Sequence, residues 1–191
     1  NGGGTAFTAT TAVNANITVY AQWTAKADVT VTYDGNKGTT TPATLQQTLK
    51  TGQSLSNATP TVLTLPGAGD VSRTGYTFAG WNTKADGTGT AFTASTNVTA
   101  NITVYAQWTA NSNVTVTYNG NGGVTTPASL QQTLKSGQNL NNATPSALAL
   151  PGASSVTYQG STFAGWNTAA DGGGTACTAS TNVTANITVY A

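Results

Sequence analysis

An 85-residue repeat runs through the chain in strict register, and it constrains the fold more than any single motif does. The segment at 80–106 returns at 165–191, and a similar stretch at 5–25 lies one repeat earlier. Residues 26–106 and 111–191 align without insertion or deletion and are identical at 59 of 81 positions. Copies this similar should fold into the same unit, so the sequence predicts a tandem array of like modules.

The phase of the repeat divides the chain into three parts. Residues 1–25 correspond to the C-terminal part of a preceding repeat, 26–110 form a complete module, and 111–191 form a second module that lacks its last strand residues. Because the repeat is interrupted at both ends, we expect an internal part of a longer chain. A module of this size can bury a small core of its own, and stacking on neighbours would add to it.

Charge is scarce throughout the chain. Charged residues make up 6% of it, against roughly 25% in ordinary globular domains, and the net charge is +1 with no His. About a fifth of the residues are Thr, and Thr alternating with Val or Ile favours half-buried strands. A nearly neutral surface does not attract phosphate backbones or anionic lipid, so we expect no nucleic acid binding and no direct membrane insertion by this segment.

Period-two alternation marks the strands of each module. The VTVTY segment at 29–33, repeated at 114–118, alternates Val and Tyr with Thr. A Gly-containing turn follows it at once and predicts a change of chain direction. YTFAGW at 76–81 and ITVYAQW at 102–108 are also predicted as strands, which gives about four strands in each module.

The sequence pattern does not decide between a helix and a strand for residues 42–50. Pro42 in a first turn and Gly52 as a terminator would make a short helix. A strand would instead place Leu45 and Leu49 on one face.

Several consecutive motifs carry a family resemblance: GYTFAGWNT at 75–83, GSTFAGWNT at 160–168, and NITVYAQW at 16–23 and 101–108. In this order they resemble the internalin-type B-repeat family, a surface repeat of the Listeria and Bacteroides type. The resemblance implies a compact β-grasp-like module found in tandem in large bacterial and archaeal surface proteins. It also implies an extended segment before Gly52. The expected fold class is therefore mainly β (β-rich α+β), with tandem β-grasp-like modules of 85 residues in an elongated array.

Candidate catalytic residues can be found by comparing the two modules, because an essential side chain should recur at the same position of the repeat in both. Among charged residues only Lys50 with Lys135, and Asp86 with Asp171, do so. Without His or Glu, neither an acid–base pair nor a nucleophile triad can be assembled, and we expect no enzymatic activity and no cofactor. Calcium or zinc would need more carboxylates or clustered Cys and His, so no metal site is expected. The two recurring Asp residues are interpreted as turn initiators.

Two interpretations are open for the single cysteine, and two for a pair of tryptophans. Cys177, the single cysteine, stands where the first module has Phe92, and we predict a buried thiol, with an intermolecular disulfide as the alternative. Trp81 and Trp166 are predicted in the core, with exposed platforms for glycan stacking as the alternative.

Asn-x-Thr sequons mark candidate N-glycosylation sites. Some recur at fixed phase near predicted strand ends or loops. Random matches are also expected in so Thr- and Asn-rich a chain, which leaves ordinary turn and strand-edge residues as the alternative. The sequons begin at Asn16, Asn57, Asn97, Asn101, Asn113, Asn142, Asn182 and Asn186.

These features together predict an extracellular structural repeat of a cell-surface stalk or a self-assembling filament, within a longer adhesin-like chain. Neutral strand edges lack the charges that proteins use against self-association, so the expected partners are copies of the chain or adjacent repeats. A partner strand could also complete the second module. The alternative function is a carbohydrate- or host-binding module that contacts surface glycans through exposed aromatic residues.

Overall fold

The computed structural model describes residues 3–191 and arranges them as two modules of the same design. Each module has a five-stranded sheet and a separate two-stranded ribbon. The strands of the first module are β1 (Asp28–Asp34), β2 (Thr39–Thr40), β3 (Leu45–Lys50), β4 (Val71–Ser72), β5 (Tyr76–Asn82), β6 (Ala91–Phe92) and β7 (Ile102–Ala110). Those of the second are β8 (Asn113–Asn119), β9 (Val124–Thr125), β10 (Gln131–Lys135), β11 (Val156–Thr157), β12 (Trp166–Asn167), β13 (Ala176–Cys177) and β14 (Ile187–Tyr190).

The sheets are mixed, with the first and last strands of each module running parallel to each other. The strand order is β3-β1-β7-β5-β6 in the first sheet and β10-β8-β14-β12-β13 in the second. The pairs β1–β7 and β8–β14 are parallel, and the remaining pairs are antiparallel. This topology is β-grasp-like, and the predicted mainly β class is confirmed.

Helical structure is confined to single turns. Within residues 3–191 the helical segments are two 3-10 turns, Leu55–Asn57 and Leu140–Asn142. Neither has the length or the apolar character that a membrane-crossing helix requires.

Within the stretch at 42–50, residues Leu45–Lys50 form strand β3 and not a helix. The alternation in β1 places Val29 and Tyr33 on its buried face, and Leu49 of β3 lies opposite Val29 and is buried with it. The Tyr33 hydroxyl donates to Gln47 Oε1 at 2.7 Å across the same pair. The strand prevails over a helix because pairing with β1 satisfies the backbone groups of this segment while its Leu side chains enter the core.

The predicted turn after β1 also forms hydrogen bonds to distant parts of the same module. Asn36 adopts a left-handed conformation with φ 46°, which Asn tolerates better than most residues do. Its Nδ2 donates to the carbonyl oxygens of Ala85 at 2.7 Å and Ala106 at 2.8 Å. Asn121 makes the equivalent bonds, at 2.7 and 3.0 Å, in the second module. The turn therefore ties β1 to the last strand and to the loop after β5.

Each module has its own hydrophobic core, within 26–110 and within 111–191. The fully enclosed residues of the first core are Val29, Val31, Tyr33, Leu49, Leu55, Ala58, Val71, Trp81, Phe92, Val98, Val104 and Ala106. Those of the second are Val114, Val116, Tyr118, Leu134, Leu140, Ala143, Val156, Trp166, Cys177, Val183 and Val189. A Tyr–Trp edge-to-face contact with ring centroids 4.9 Å apart recurs in both.

The modules differ where β5 pairs with β7. β5 spans seven residues, whereas its counterpart β12 comprises only Trp166–Asn167. The first part of β5 pairs with Gln107–Ala110 at the end of β7, but β14 ends at Tyr190. Among the described residues, no strand lies beside 161–165. The strand predicted from the YTFAGW motif therefore forms in full in the first module only.

The residues that precede β1 form no strand either. Residues 3–27 are exposed along their length, although 16–25 have the same NITVYAQWTA sequence as 101–110, most of which lies in β7. Because the two sequences are identical, the pairing available to each segment decides its conformation.

Candidate functional site

The eight sequon asparagines all lie on the exposed surface of the described chain. Asn101 accepts the backbone N–H of Thr30 through Oδ1 at 2.9 Å, and Asn186 makes the same bond in the second module. Asn57 and Asn142 end the two 3-10 turns, and each accepts a backbone N–H from the residue three positions earlier. These four side chains therefore have structural partners as well as exposure. Glycosylation of any of the eight stays a prediction.

Trp81 and Trp166 are core residues. They are 3% and 2% exposed, and each indole N–H donates to a proline carbonyl at 2.7 Å, that of Pro66 and that of Pro151. Their faces are covered by neighbouring aromatic rings. The alternative interpretation of these two residues as glycan-stacking platforms is wrong, because a buried indole presents no face to a sugar ring.

Cys177 lies inside the second module, opposite Trp166 in the β12–β13 pair. It is a free thiol with 6% exposure. Burial raises the pKa of the Cys177 thiol, while a hydrogen bond with the Thr181 side chain acts in the opposite direction. The thiol is thus held in its protonated, unreactive form, and an intermolecular disulfide at this position would require the sheet edge to open.

The recurring carboxylates and lysines act locally. Asp86 Oδ1 accepts the backbone N–H of Thr88 at 3.0 Å, and Asp171 accepts that of Gly173 at 2.9 Å, as turn-initiating residues do. The Thr88 backbone hydrogen bond holds the pKa of Asp86 below its usual value. In residues 3–191 no three His, Cys, Asp or Glu side chains come together as a metal site.

The junction between the modules is a short linker bound to both sides. The backbone N–H of Asn111 donates to Gly75 O at 2.9 Å, and its Oδ1 accepts the Thr77 hydroxyl at 2.8 Å. Its Nδ2 donates to Ser136 O, in the second module, at 2.9 Å. Asn111 therefore joins the edge of the first sheet to the turn after β10.

A glutamine of the second module is buried against a glycine of the first. Gln138 has 0% exposure, and a Cβ on Gly75 would lie 2.8 Å from its Cγ. Gly75 also has φ +80°, so a larger residue there would be strained as well as too close. One repeat earlier, Gln53 is only half-buried, and one repeat later, Gly160 is exposed with nothing above it. Gln53 and Gly160 are the uncovered counterparts of this contact.

Trp108 closes the end of the first sheet. Its ring packs on Phe78 with centroids 5.8 Å apart, and its Nε1 donates to Gly35 O at 2.9 Å. Gly38 leaves the space that the ring uses, since a Cβ there would lie 2.5 Å from Trp108 Cζ2. The end of β7 thereby covers the aromatic cluster of the first module.

The corresponding place in the second module is a cavity of 540 Å³, which we call the open site. Phe163 and Gly120, the counterparts of Phe78 and Gly35, line it, and Tyr158 packs against Gly123, the counterpart of the Gly38 that Trp108 covers in the first module. Its other lining residues include Asn121, Tyr158, Ala164 and Ala191.

Large apolar side chains are also exposed near the start of the described chain. Residues 16–25, which we call the N-terminal segment, expose Ile17, Val19, Tyr20 and Trp23, the last at 91%. Large apolar side chains this exposed and this close together usually mark a contact surface.

The sequence carries one signal for the junction between the modules. In the sequence Gln138 is an ordinary polar residue, and its sequence neighbours do not predict that it is fully buried. The available signal was the recurrence of glycines at Gly38 with Gly123 and at Gly75 with Gly160, because a glycine kept at constant phase often marks a close approach.

Comparison with known proteins agrees with the repeat architecture. The profile of the Listeria-Bacteroides repeat domain matches residues 30–107 and 115–191, once in each module. A protein of Evansella cellulosilytica named as a Gly-rich membrane protein is 34% identical over 113 residues, 56% of this chain and 12% of that relative. A second protein of this organism, named as a membrane protein, is 34% identical over 105 residues, 53% of this chain and 14% of that relative.

The chain therefore spans only a small share of the length of these relatives. No solved structure matches it significantly. The profile covers most of both modules, so the resemblance seen in the GYTFAGWNT and NITVYAQW motifs is confirmed. The chain belongs to the Listeria-Bacteroides repeat domain family, and its two modules are tandem copies of that surface repeat.

Proposed function

We propose that this chain is an extracellular structural repeat of a cell-surface stalk or self-assembling filament, and part of a longer surface protein. The observation that carries the proposal is the packed junction, in which Asn111 bonds to both modules and Gln138 is fully buried. A junction of this kind restricts the orientation of one module relative to the next. Tandem modules joined in this way extend in one direction and carry force along the chain, as a stalk or fibre must.

The composition of the surface supports the same function. With six basic and five acidic residues in the chain, strand edges carry few charges that would keep copies apart. The relatives named as membrane proteins support a location at the cell surface. We further propose that the chain is not an enzyme and uses no cofactor, because its only charged residues kept in both modules lie in turns or at strand ends.

Glycosylation of the exposed sequons is compatible with this role. A sugar at Asn101 or Asn186 would project from the end of a strand without displacing a core side chain. The intact mass of protein taken from its source tests this: added hexose and N-acetylhexosamine mass supports the proposal, and the bare polypeptide mass contradicts it.

The alternative function, carbohydrate binding, cannot use Trp81 and Trp166 for stacking on sugars, since both side chains are enclosed. A glycan ligand would have to use other aromatic side chains.

Imaging by cryo-electron microscopy at near-physiological salt tests the proposed function. Ordered filaments with an axial repeat commensurate with one or two modules are the result expected for a filament. Dispersed rods whose length grows with module number would keep the stalk and remove the filament. Compact particles whose modules vary freely in relative orientation would contradict both forms of the proposal.

A further inference from the structure

The junction between the modules contains a basic cleft. A cavity of 380 Å³, which we call the junction cleft, is lined from the first module by Lys37, Arg73 and Tyr76, and from the second by Asn142 and Thr144. We propose that the junction cleft binds an acidic glycan, and that Lys37 and Arg73 hold the carboxylate of one of its uronic acid residues. This function adds to the structural one, since it requires the packed junction but neither a stalk nor a filament.

Positive charge is concentrated in the junction cleft. Two of the six basic residues of the chain line it, whereas none of the five acidic residues, all of which lie in the described chain, does so. Two acidic residues close in sequence bond elsewhere: Asp34 Oδ1 accepts the backbone N–H of Asn36 at 2.7 Å, and Asp70 Oδ2 accepts that of Gly67 at 2.8 Å. Cations that share a cavity without a carboxylate repel each other, and a bound anion would offset this repulsion.

The Arg73 guanidinium is held in place by a ring and has no polar partner. Its Cζ lies 3.7 Å from the centre of the Tyr76 ring, and the residue is half-buried. Within residues 3–191 the guanidinium makes no ion pair and no hydrogen bond. Because the ring covers a face of the guanidinium, the N–H groups at its edge stay free to donate two parallel hydrogen bonds to a planar carboxylate.

Lys37 occupies a backbone position that suits glycine. Its φ is +72°, in the left-handed region that residues with a side chain rarely adopt, and Gly122 takes this position in the second module with φ +91°. Lys37 therefore destabilises the turn after β1 relative to a glycine there. Strain of this kind is concentrated at functional sites, and here it places an ammonium group on the same cavity as Arg73.

The rest of the cleft suits a sugar better than an apolar peptide. Asn142 is exposed, and its Oδ1 accepts the backbone N–H of Asn139 at 2.8 Å, while no described residue takes its Nδ2 group. Hydroxyl groups on the cleft come from Thr39, Ser72, Thr74 and Thr144. Hydroxyls and amides both donate and accept, as the hydroxyl groups of a sugar require of a binding site.

A neighbouring cavity leaves room for further sugar residues. It has a volume of 630 Å³ and shares Arg73, Tyr76 and Asn142 with the junction cleft. The half-buried Trp108 and Asn139 also line it. Both volumes are in the usual range of ligand sites. Arg73 thus lies between two cavities, and a glycan of several residues would cross the junction with a carboxylate at this side chain.

The basic cleft belongs to this junction and not to the repeat. At the positions of Lys37, Arg73 and Tyr76, the second module has Gly122, Tyr158 and Ser161. The ammonium group, the guanidinium and the ring that holds it are therefore all replaced. Lys37→Gly consequently removes one cation of the cleft with a residue that the repeat already accepts.

Binding of a galacturonic acid tetrasaccharide to the full chain, measured by isothermal titration calorimetry, tests the proposal. We expect saturable binding that weakens as NaCl is added, because salt screens the ionic contact. The fully methyl-esterified tetrasaccharide, which has the same sugars without charge, should bind at least about tenfold more weakly. Equal binding of the two, or no binding of the acidic one, would overturn the proposal. A tetraglutamate peptide that binds as tightly would replace the glycan by an acidic peptide as the ligand.

Three variants locate the site. Arg73→Gln should weaken binding of the acidic tetrasaccharide about 30-fold, through loss of charge-assisted hydrogen bonds. K37G should weaken it about fivefold and also raise the urea midpoint, because glycine relieves the left-handed turn. Lys84→Ala is the matched control, since Lys84 is exposed, lies outside the cleft and corresponds to Ala169. It should bind like the parent chain. Equal effects of all three variants would show general charge attraction and contradict the site.

Nuclear magnetic resonance keeps the test valid if R73Q does not fold. On titration of the parent chain with the acidic tetrasaccharide, the Arg73 Nε–H and the Asn142 side-chain amide signals should both shift, since the ligand contacts both modules. Shifts at neither group would overturn the inference. Absence of binding by a chain that forms ordered rods or filaments would remove this site alone, whereas modules of freely varying orientation would remove the packed junction and the proposed function with it.

Discussion

The same motif is a strand in one module and an unpaired segment in the other. GYTFAGW and GSTFAGW differ only at Tyr76 and Ser161, yet β5 covers Tyr76–Asn82 and its counterpart covers Trp166–Asn167 alone. A single substitution at this half-buried first position of β5 does not explain the loss of five strand residues. What differs is the neighbour, since Gln107–Ala110 pairs with residues 76–80 of the first copy, whereas no strand of the described chain lies beside residues 161–165 of the second. Strand formation in these repeats is thus decided by pairing.

A second contrast concerns what covers each module. The glutamine of the second module is buried by the first, whereas Gln53 has no module against it. Identical residues therefore make different contributions to stability according to their position in the array, as expected for repeat proteins in which neighbours supply part of the core. The predictions below use matched residues of the two modules to test these contrasts.

The largest effect is expected from the enclosed tryptophans. Trp81→Ala and Trp166→Ala should each cost about 4 kcal/mol of the free energy of unfolding, because each removes a buried ring and leaves a cavity. The second module has fewer strand pairs, so W166A should unfold it while W81A leaves more of the first module folded. Module-resolved hydrogen exchange in urea measures this. Equal loss of protection in both modules would contradict the contrast, and the exposed Trp23→Ala is the control.

Exchanging Phe92 and Cys177 tests the cores at one matched position. Phe92 meets Tyr33 edge-on at 6.2 Å, whereas Cys177 fills the corresponding place in the second module. Phe92→Cys should destabilise the first module by about 2 to 3 kcal/mol, and Cys177→Phe should stabilise the second by about 1 kcal/mol. Urea denaturation measures both. A destabilising C177F would show that the second core has already closed around the smaller residue.

The junction is tested by removing the same glutamine from each module. Gln138→Ala should cost about 2 kcal/mol, because it removes a fully buried side chain that accepts the half-buried backbone N–H groups of Lys135 and Thr144. Gln53→Ala should cost about 1 kcal/mol, since water can reach the groups it leaves. Denaturation midpoints give the difference. Equal costs would mean that the first module does not protect Gln138.

Alkaline pH should destabilise both modules. Burial raises the pKa of the Tyr33 and Tyr118 hydroxyls above their ordinary value, with Cys177 adding to the effect at Tyr118. The folded state therefore retains protons that the unfolded state loses above about pH 10, and stability falls as pH rises through this range. Tyrosinate absorbance should appear together with unfolding. The Tyr33→Phe and Tyr118→Phe double variant should show a shallower fall, and an unchanged pH dependence would contradict the assignment.

The smallest effect is expected at a surface ion pair. Lys50 Nζ lies 2.7 Å from Asp28 Oδ1, whereas Lys135 faces the neutral Asn113 at the same position. Asp28→Asn makes the first pair resemble the second and should change stability by less than about 0.5 kcal/mol, because both side chains are well exposed. Denaturation at low and high salt measures it. A loss above 1 kcal/mol would show that the pair is more than a surface contact.

Sequence reasoning recovered the features that the repeat and the alternation determine. The strands at 29–33, 76–81 and 102–108 were predicted, as was the family, because period-two patterns and consecutive motifs are local signals. The strand at 45–50 required the family resemblance, since its two Leu residues fit either a helix or a strand. Trp81 and Trp166 lie in the core, as the strand pattern predicts, and only the alternative of glycan platforms is wrong.

The sequence alone does not show which distant segments pair with each other. Nothing within 161–165 reports that its partner strand is absent, and nothing in NITVYAQWTA shows why 102–110 pairs while 16–25 does not. The burial of Gln138 likewise depends on Gly75, which lies 63 positions earlier by their numbering. These features arise from tertiary contacts that a local pattern does not encode.

Amide hydrogen exchange at residues 77–80 and 162–165, followed in one sample of the 191-residue chain, tests most directly whether pairing makes the strand. In the monomer, we expect protection at 77–80 and rapid exchange at 162–165. Equal protection of both sets in the monomer would contradict the central claim, because the second segment would then be a strand without a partner.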